Sequence, residues 1–284
     1  MVMNIIRTVQ EMQEFSDSMR RQGRRLALVP TMGFLHEGHL SLIRIGKEHG
    51  DVVIVSIFVN PTQFGPGEDF EQYPRSFQRD EELVASAGGD CIFTPAAREM
   101  YPPGYQTTVS VAHITKNLCG ITRPHHFQGV ATVVAKLFNC TRPHCAVFGE
   151  KDFQQLMVIK RMVQDCNFGI EIIPGPIVRE PDGLAMSSRN TYLTPEQRRS
   201  ALSLSRSLFT AQEMFAGGQR DAGRLIQQAR EMITAEQQTR IDYIKVCAVD
   251  TLEDVTTITG DAVMALAVYV GKTRLIDNVV LSAA

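Results

Sequence analysis

Uninterrupted apolar runs, bounded by Gly, Pro or Asp, recur through the first 175 residues. They are Leu26–Val29, Asp51–Val59 (with Val52, Val53, Ile54, Val55, Ile57 and Phe58), Cys91–Phe93, Cys145–Phe148 and Ile170–Ile173. Apolarity that is continuous rather than alternating predicts strands buried on both faces, as in a parallel sheet. Stretches with helical spacing lie between the runs, at 39–49, 76–88, 127–140 and 153–167. Strand, helix and strand in repetition predict right-handed crossovers and a doubly wound, Rossmann-like α/β sheet.

The pattern changes after residue 175. Thr194-Pro195-Glu196-Gln197 has the form of a helix start, with Thr as cap, Pro at the first helical position and Gln closing a capping box. A long amphipathic helix is expected from there to Gly217-Gly218, and a second over 219–238. Two strand-like runs follow, Ile241–Val249 and Ala262–Val270. The chain thus divides into a doubly wound domain, 1–175, and a smaller C-terminal α+β domain, 176–284, joined near Pro174-Gly175-Pro176.

Composition narrows the classes. A net charge of −2 gives no general field for gripping nucleic acid. Met1–Arg7 lacks an apolar core followed by a small-residue cleavage site. No apolar stretch reaches the roughly 18 residues that span a bilayer. A cytoplasmic protein with no membrane partner is the expectation. The six cysteines form no C-x-x-C pair. His144, with Cys140 and Cys145 nearby, matches no zinc spacing.

Three polar stretches follow predicted strands, where open α/β sheets place their ligands, and a fourth lies on the link between domains. Val29-Pro30-Thr31-Met32-Gly33-Phe34-Leu35-His36-Glu37-Gly38-His39 leaves a strand and enters a helix. Gly38 admits close backbone approach, the helix start offers free N–H groups, and His36 and His39 share one face. Asn60-Pro61-Thr62-Gln63 brings amides suited to hydroxyls and a carboxylate. Gly149-Glu150-Lys151-Asp152, with Gln155 one turn on, places a cation for a phosphate and a carboxylate for a metal or ribose. Met186-Ser187-Ser188-Arg189 is a compact oxyanion clamp on the link between domains. Arg123-Pro124-His125-His126 adds a basic group before a helix. Taken singly, each stretch also reads as an ordinary polar turn.

Taken in order, these stretches, together with Tyr73-Pro74-Arg75 and Arg274-Leu275-Ile276-Asp277-Asn278, resemble the pantoate–β-alanine ligase family from Leu26 to Asn278. They also resemble the wider nucleotidyltransferase superfamily, whose HxGH signature is His36–His39. Met186–Arg189 stands where that superfamily carries its lysine-serine loop. The resemblance implies that ATP and (R)-pantoate give a pantoyl adenylate and pyrophosphate, after which β-alanine displaces AMP. It implies Mg2+, a homodimer, and a C-terminal domain that serves as a lid.

By the same resemblance, Met32, Gly33, His36, Gly38, His39, Gly149, Glu150, Lys151, Asp152, Val178, Met186, Ser187, Ser188 and Arg189 line the ATP site. His36, His39, Lys151 and Arg189 carry the catalytic roles, with His39 as the usual proton donor. Gln63, Gln155, Asn60 and Arg123 meet the substrates. The metal ligand stays open between ATP's phosphates alone and Asp152 as an addition. Position 125 carries His where the pattern has a small residue, usually Gly. Two alternatives stand beside this reading: a nucleotidyltransferase that stops at an adenylated product, and a nucleotide-binding module without catalysis. The amides of Asn60, Gln63 and Gln155 argue against the first, and the intact Lys151 and Ser-Ser-Arg group against the second.

Overall fold

The computed structural model describes residues 3–282, so Met1 and Val2 of the N-terminal segment discussed above lie outside it. The chain begins β1 (Asn4–Ile6), α1 (Val9–Arg21), β2 (Leu26–Thr31), α2 (Glu37–His49) and β3 (Val52–Ile57). It continues through α3 (Phe77–Ser86), β4 (Cys91–Phe93), α4 (Ala97–Met100), α5 (Cys119–Thr122), α6 (His126–Thr141) and β5 (Cys145–Gly149). Next come α7 (Phe153–Asp165), β6 (Glu171–Gly175), α8 (Pro195–Ala216), α9 (Ala222–Thr234), β7 (Thr239–Ala248), β8 (Ala262–Val270) and β9 (Thr273–Leu281).

Two compact units are present. Within the described residues, the first takes the chain up to Ala112, Arg123–Glu150 and Gln155–Pro176. The second takes His113–Thr122, Lys151–Gln154 and the chain from Ile177 onward.

In the first unit six parallel strands pair in the order β1-β4-β3-β2-β5-β6. β2 and β3 run in register from Leu26↔Val52 to Thr31↔Ile57. Alternate residues of each strand enter opposite apolar layers, as period-2 geometry requires. Leu26, Leu28, Ile54 and Phe93 pack with α6 residues such as Val134 and Phe138. Ala27, Val29, Val53 and Ile92 pack with Leu40 and Ile43 of α2. Burial on both faces is the reason these strands read as unbroken apolar runs. The chain leaves β2 toward β3 on one side and resumes at β5 on the other. The turns after β2 and β5 therefore sit at the switch point of the sheet.

The helices α2, α3, α6 and α7 lie within two residues of their expected ends. Pro174 and Gly175, beside the expected domain join, complete β6 opposite Phe148 and Gly149, and the first unit ends at Pro176. Short β1 and helix α1, with its Thr8 cap, are additions to the expected elements.

In the second unit β7, β8 and β9 form an antiparallel sheet, with α8 and α9 packed through Leu204, Leu208, Leu225 and Ile233 against Val246, Met264, Leu266 and Leu275. α8 starts at the expected capping box of Thr194 and Gln197. α9 is shorter than its expected span at both ends, and its later start is set by the Asp221 cap. β9 is an addition to the expected strands. No helix among the described residues is long and apolar enough to cross a membrane.

Candidate functional site

The turn from β2 into α2 is held open by backbone conformations that few residues adopt. Gly33 has φ +79 and Phe34 has φ +50. A Cβ at Gly33 would lie 3.0 Å from both Asp80 Oδ2 and Ile57 Cγ2, so conformation and space both demand glycine. Asp80, 1% exposed on α3, accepts the N–H groups of Phe34 and Leu35, each at 2.7 Å. Burial raises its carboxyl pKa, and the two backbone donors work against that rise. Arg79 donates to the Leu35 carbonyl at 2.9 Å and lies over the Phe34 ring.

So braced, the turn delivers His36 as the N-cap of α2 and His39 as the third residue of its first turn. Their rings stand 4.1 Å apart, tilted by 41°. The His36 backbone N–H donates to His39 Nδ1 at 3.3 Å as part of a reciprocal capping box. An Nδ1 that accepts carries no proton. With Nδ1 accepting, Nε2 is the ring nitrogen of His39 that can act as a donor. Both rings are half-buried, as are Met32 and Gly38.

The Asn60 amide, 1% exposed, is engaged at both ends. Oδ1 accepts from Tyr101 Oη at 2.8 Å and Thr62 Oγ1 at 3.0 Å. Nδ2 donates to Gly129 O and to Gln63 Oε1, both at 3.2 Å. Because Asn60 holds the oxygen end of the Gln63 amide, Gln63 turns its Nε2 toward Met32 Sδ, 3.0 Å away. Gln63 and the start of the histidine turn are thus brought together.

The Gln63 carbonyl is gripped by Arg123 Nη2 at 3.2 Å and faces His126 Nδ1 at 2.9 Å. Arg123 also binds Glu68 through Nε and Nη2, both at 2.6 Å. Burial works to raise the Glu68 carboxyl pKa, but the Arg123 guanidinium holds it below its ordinary value. Asn60 and Arg123, expected to meet the substrates, are thus occupied by protein groups. His125 is exposed with φ −96, so its side chain meets solvent in a conformation that needs no glycine.

Gly149 closes β5 opposite Gly175, and Glu150 opens the following turn. Gln155 is half-buried on the first turn of α7.

In the second unit Lys151 Nζ lies 3.9 Å from Asp152 Oδ2, and Asn278 Nδ2 donates to the Lys151 carbonyl at 3.0 Å. Gln154, beside Gln155 in sequence, is buried and accepts from Cys119 N while donating to Ile114 O and Asn117 O. A small hairpin leads to the other oxyanion candidates: Met186 N donates to Val178 O at 3.0 Å, and Arg179 bridges Ala185. Ser187 then caps a 3-10 turn over Ser188–Tyr192 by accepting from Arg189 N at 3.3 Å. Ser188 is buried, while Ser187 and Arg189 are half-buried. Lys151, Ser187, Asn190 and Asp277 border one small cavity, with room for about one water molecule.

Among the described residues, no group of three or more His, Cys, Asp or Glu could hold a metal ion. His144 Nδ1 instead accepts from Leu26 N at 2.9 Å. The half-exposed Asp152 carboxylate is the acidic oxygen donor beside Lys151. That donor set fits a divalent cation held mainly by a ligand's phosphates rather than by a protein cage.

Asp80 and Tyr101 in the first unit and Gln154 in the second are residues to which sequence reasoning gives no role, and Asn278 enters it only as the end of the Arg274–Asn278 stretch. Asp80 does leave a signal. It falls between Phe77 and Val84 at helical spacing, a carboxylate on a core-facing stripe.

The family described as Pantoate-beta-alanine ligase matches residues 4–280. A pantothenate synthetase of Syntrophus aciditrophicus is 58% identical over 276 residues, covering 97% of this chain and 96% of the relative. One of Moorella thermoacetica is 56% identical over 279 residues, covering 98% and 99%. The crystal structure of pantothenate synthetase from Thermus thermophilus superposes with a TM-score of 0.94 at 42% identity, covering 99% of this chain and 100% of that one. The structure of pantoate-β-alanine ligase from Francisella tularensis, complexed with β-γ ATP and β-alanine, gives 0.81 at 35%, covering 100% and 99%.

Proposed function

The chain belongs to the pantoate–β-alanine ligase family, and we propose that its residues described above carry the reaction through a pantoyl adenylate. The reaction itself is the ATP-dependent joining of pantoate to β-alanine. A nucleotidyltransferase that stops at the adenylate, or a module without catalysis, is not favoured.

In the first step the pantoate carboxylate attacks the α-phosphorus of ATP and pyrophosphate leaves. In the second the β-alanine amine attacks the acyl carbon and AMP leaves. Because the substrate carboxylate is the nucleophile, the protein has to position reactants and stabilise charge.

His36 and His39 take the phosphate oxygens at the start of α2, where the helix dipole adds to their donation. His39 acts as a hydrogen-bond donor through Nε2. Met32, Gly33, Gly38, Gly149, Glu150 and Val178 shape the nucleotide's surroundings. Lys151, Ser187, Ser188, Arg189 and the neighbouring Met186 serve the α-phosphate and the departing pyrophosphate. Gln63 offers Nε2 to pantoate, and Gln155 joins it. Asn60 and Arg123 act on the substrate through Gln63, whose amide and carbonyl they hold. Asp152 is the protein residue that would add an oxygen to a Mg2+ brought in by ATP, and the ion would supply charge neutralisation for the leaving group.

The observation that carries this reading is the histidine pair folded as a helix start at the switch point of a parallel sheet. Expected in support is pantoate-dependent exchange of labelled pyrophosphate into ATP without β-alanine. No exchange from folded protein supplied with Mg2+ would overturn the adenylate. Lys151→Ala should lower kcat on the order of 10²-fold, the scale of one transition-state donor. A near-normal rate would remove Lys151 from the phosphate site.

We also assign a cytoplasmic setting and a homodimer. The cysteines among the described residues are free thiols, in keeping with a reducing compartment.

A further inference from the structure

Two adjacent residues of β9, Asp277 and Asn278, are 3% and 4% exposed. Leu275, Asp277, Val279 and Leu281 are the buried, alternate positions of the strand, so Asp277 occupies a place where an apolar side chain is ordinary. A carboxylate there is costly unless paired. Its partner is Arg179, which donates Nη1 at 2.7 Å and Nη2 at 3.0 Å. Burial raises the Asp277 carboxyl pKa, while Arg179 and, more weakly, Lys151 draw it back down.

Arg179 lies in the hairpin that leads into Met186–Arg189, where it bridges Ala185 and donates to Gly183 O at 3.2 Å. Asn278 belongs to the opposite face of the strand, and its Nδ2 donates to the Lys151 carbonyl at 3.0 Å. One dipeptide therefore reaches both segments of the second unit that carry phosphate candidates. Neither bond is needed to make a strand, since each uses a side chain.

We propose that Asp277 and Asn278 are positioning residues for adenylation. Asn278 fixes the backbone of Lys151, and Asp277, through Arg179, fixes the hairpin that carries Ser187, Ser188 and Arg189. The ammonium, hydroxyls and guanidinium are thereby set in one register and meet the phosphates together, while Asp277 and Asn278 touch no substrate. The inference rests on the phosphate role given to Lys151 above.

The test is pantoate-dependent pyrophosphate exchange for Asn278→Ala, Lys151→Ala and their double variant, with thermal unfolding measured alongside. Asn278→Ala should lower exchange kcat on the order of 10-fold, as misplacement of a catalytic group does. KM for pantoate should stay within about twofold. The double variant should be no slower than Lys151→Ala, because the effect runs through that side chain. Asn278→Leu keeps the volume without the donor and should show the same loss, which keeps the test readable if the alanine variant fails to fold. Asp277→Asn should likewise lower kcat and be non-additive with Arg189→Ala.

Wild-type exchange in a folded Asn278 variant, or losses that multiply in the double variant, would overturn the proposal. Unimpaired exchange in Lys151→Ala alone is a different failure, that of the phosphate role itself.

Discussion

At the scale of single residues, the shape of the histidine turn depends on Asp80. Its carboxylate satisfies the buried Leu35 N–H and the part-buried Phe34 N–H in a stretch where Gly33 and Phe34 both have positive φ. An orphaned buried donor costs about 1–3 kcal/mol. Asp80→Ala, which orphans two, is therefore expected to cost on the order of 3 kcal/mol in denaturant unfolding. Pyrophosphate exchange should fall with it, because His36 and His39 ride on the turn. A loss under about 0.5 kcal/mol, the ordinary range for a surface change, would mean the turn holds itself. His36 and His39 are legible in the sequence because the phosphate role proposed for them and the capping seen at α2 use the same short spacing. Asp80 shows in the sequence only as a carboxylate on a core-facing stripe, and its role does not, because its partners lie in a distant stretch of chain and only folding joins them.

At the scale of elements, α6 reaches the Asn60–Gln63 loop only because residue 129 lacks a side chain. A Cβ there would stand 2.3 Å from Thr62 O and 2.7 Å from Gln63 N. Alanine is preferred over glycine within a helix by roughly 1 kcal/mol. That gain cannot offset overlap with backbone atoms, so the loop must move. Gly129→Ala is expected to leave α6 intact by circular dichroism and to raise KM for pantoate on the order of 10-fold or more. An unchanged KM would show that Gln63 does not bear on pantoate. The central strands are legible for a related reason of packing. β2, β3 and β5 are buried on both faces and read as plain apolar runs. β9 is not, because Asp277 and Asn278 interrupt its apolar run, one on each face, and their partners Arg179 and Lys151 are remote in sequence. Pro174 and Gly175 read as a linker, yet parallel pairing with β5 keeps them in the sheet.

At the scale of the whole molecule, a homodimer should give a light-scattering mass of twice 31.6 kDa. A single-chain mass at micromolar concentration would refute that assembly. The order in which the chain is made adds a constraint of time. Lys151 and Ser187–Arg189 leave the ribosome well before β9, the most C-terminal of the described strands. If Asp277 and Asn278 set their register, those loops stay unaligned while synthesis is under way, whatever the state of the parallel sheet. A nascent chain stalled before residue 273 should then bind no ATP productively and show no pyrophosphate exchange. Competence would arrive late and at once, as β9 pairs with β8 and brings the carboxylate to Arg179 and the amide to Lys151.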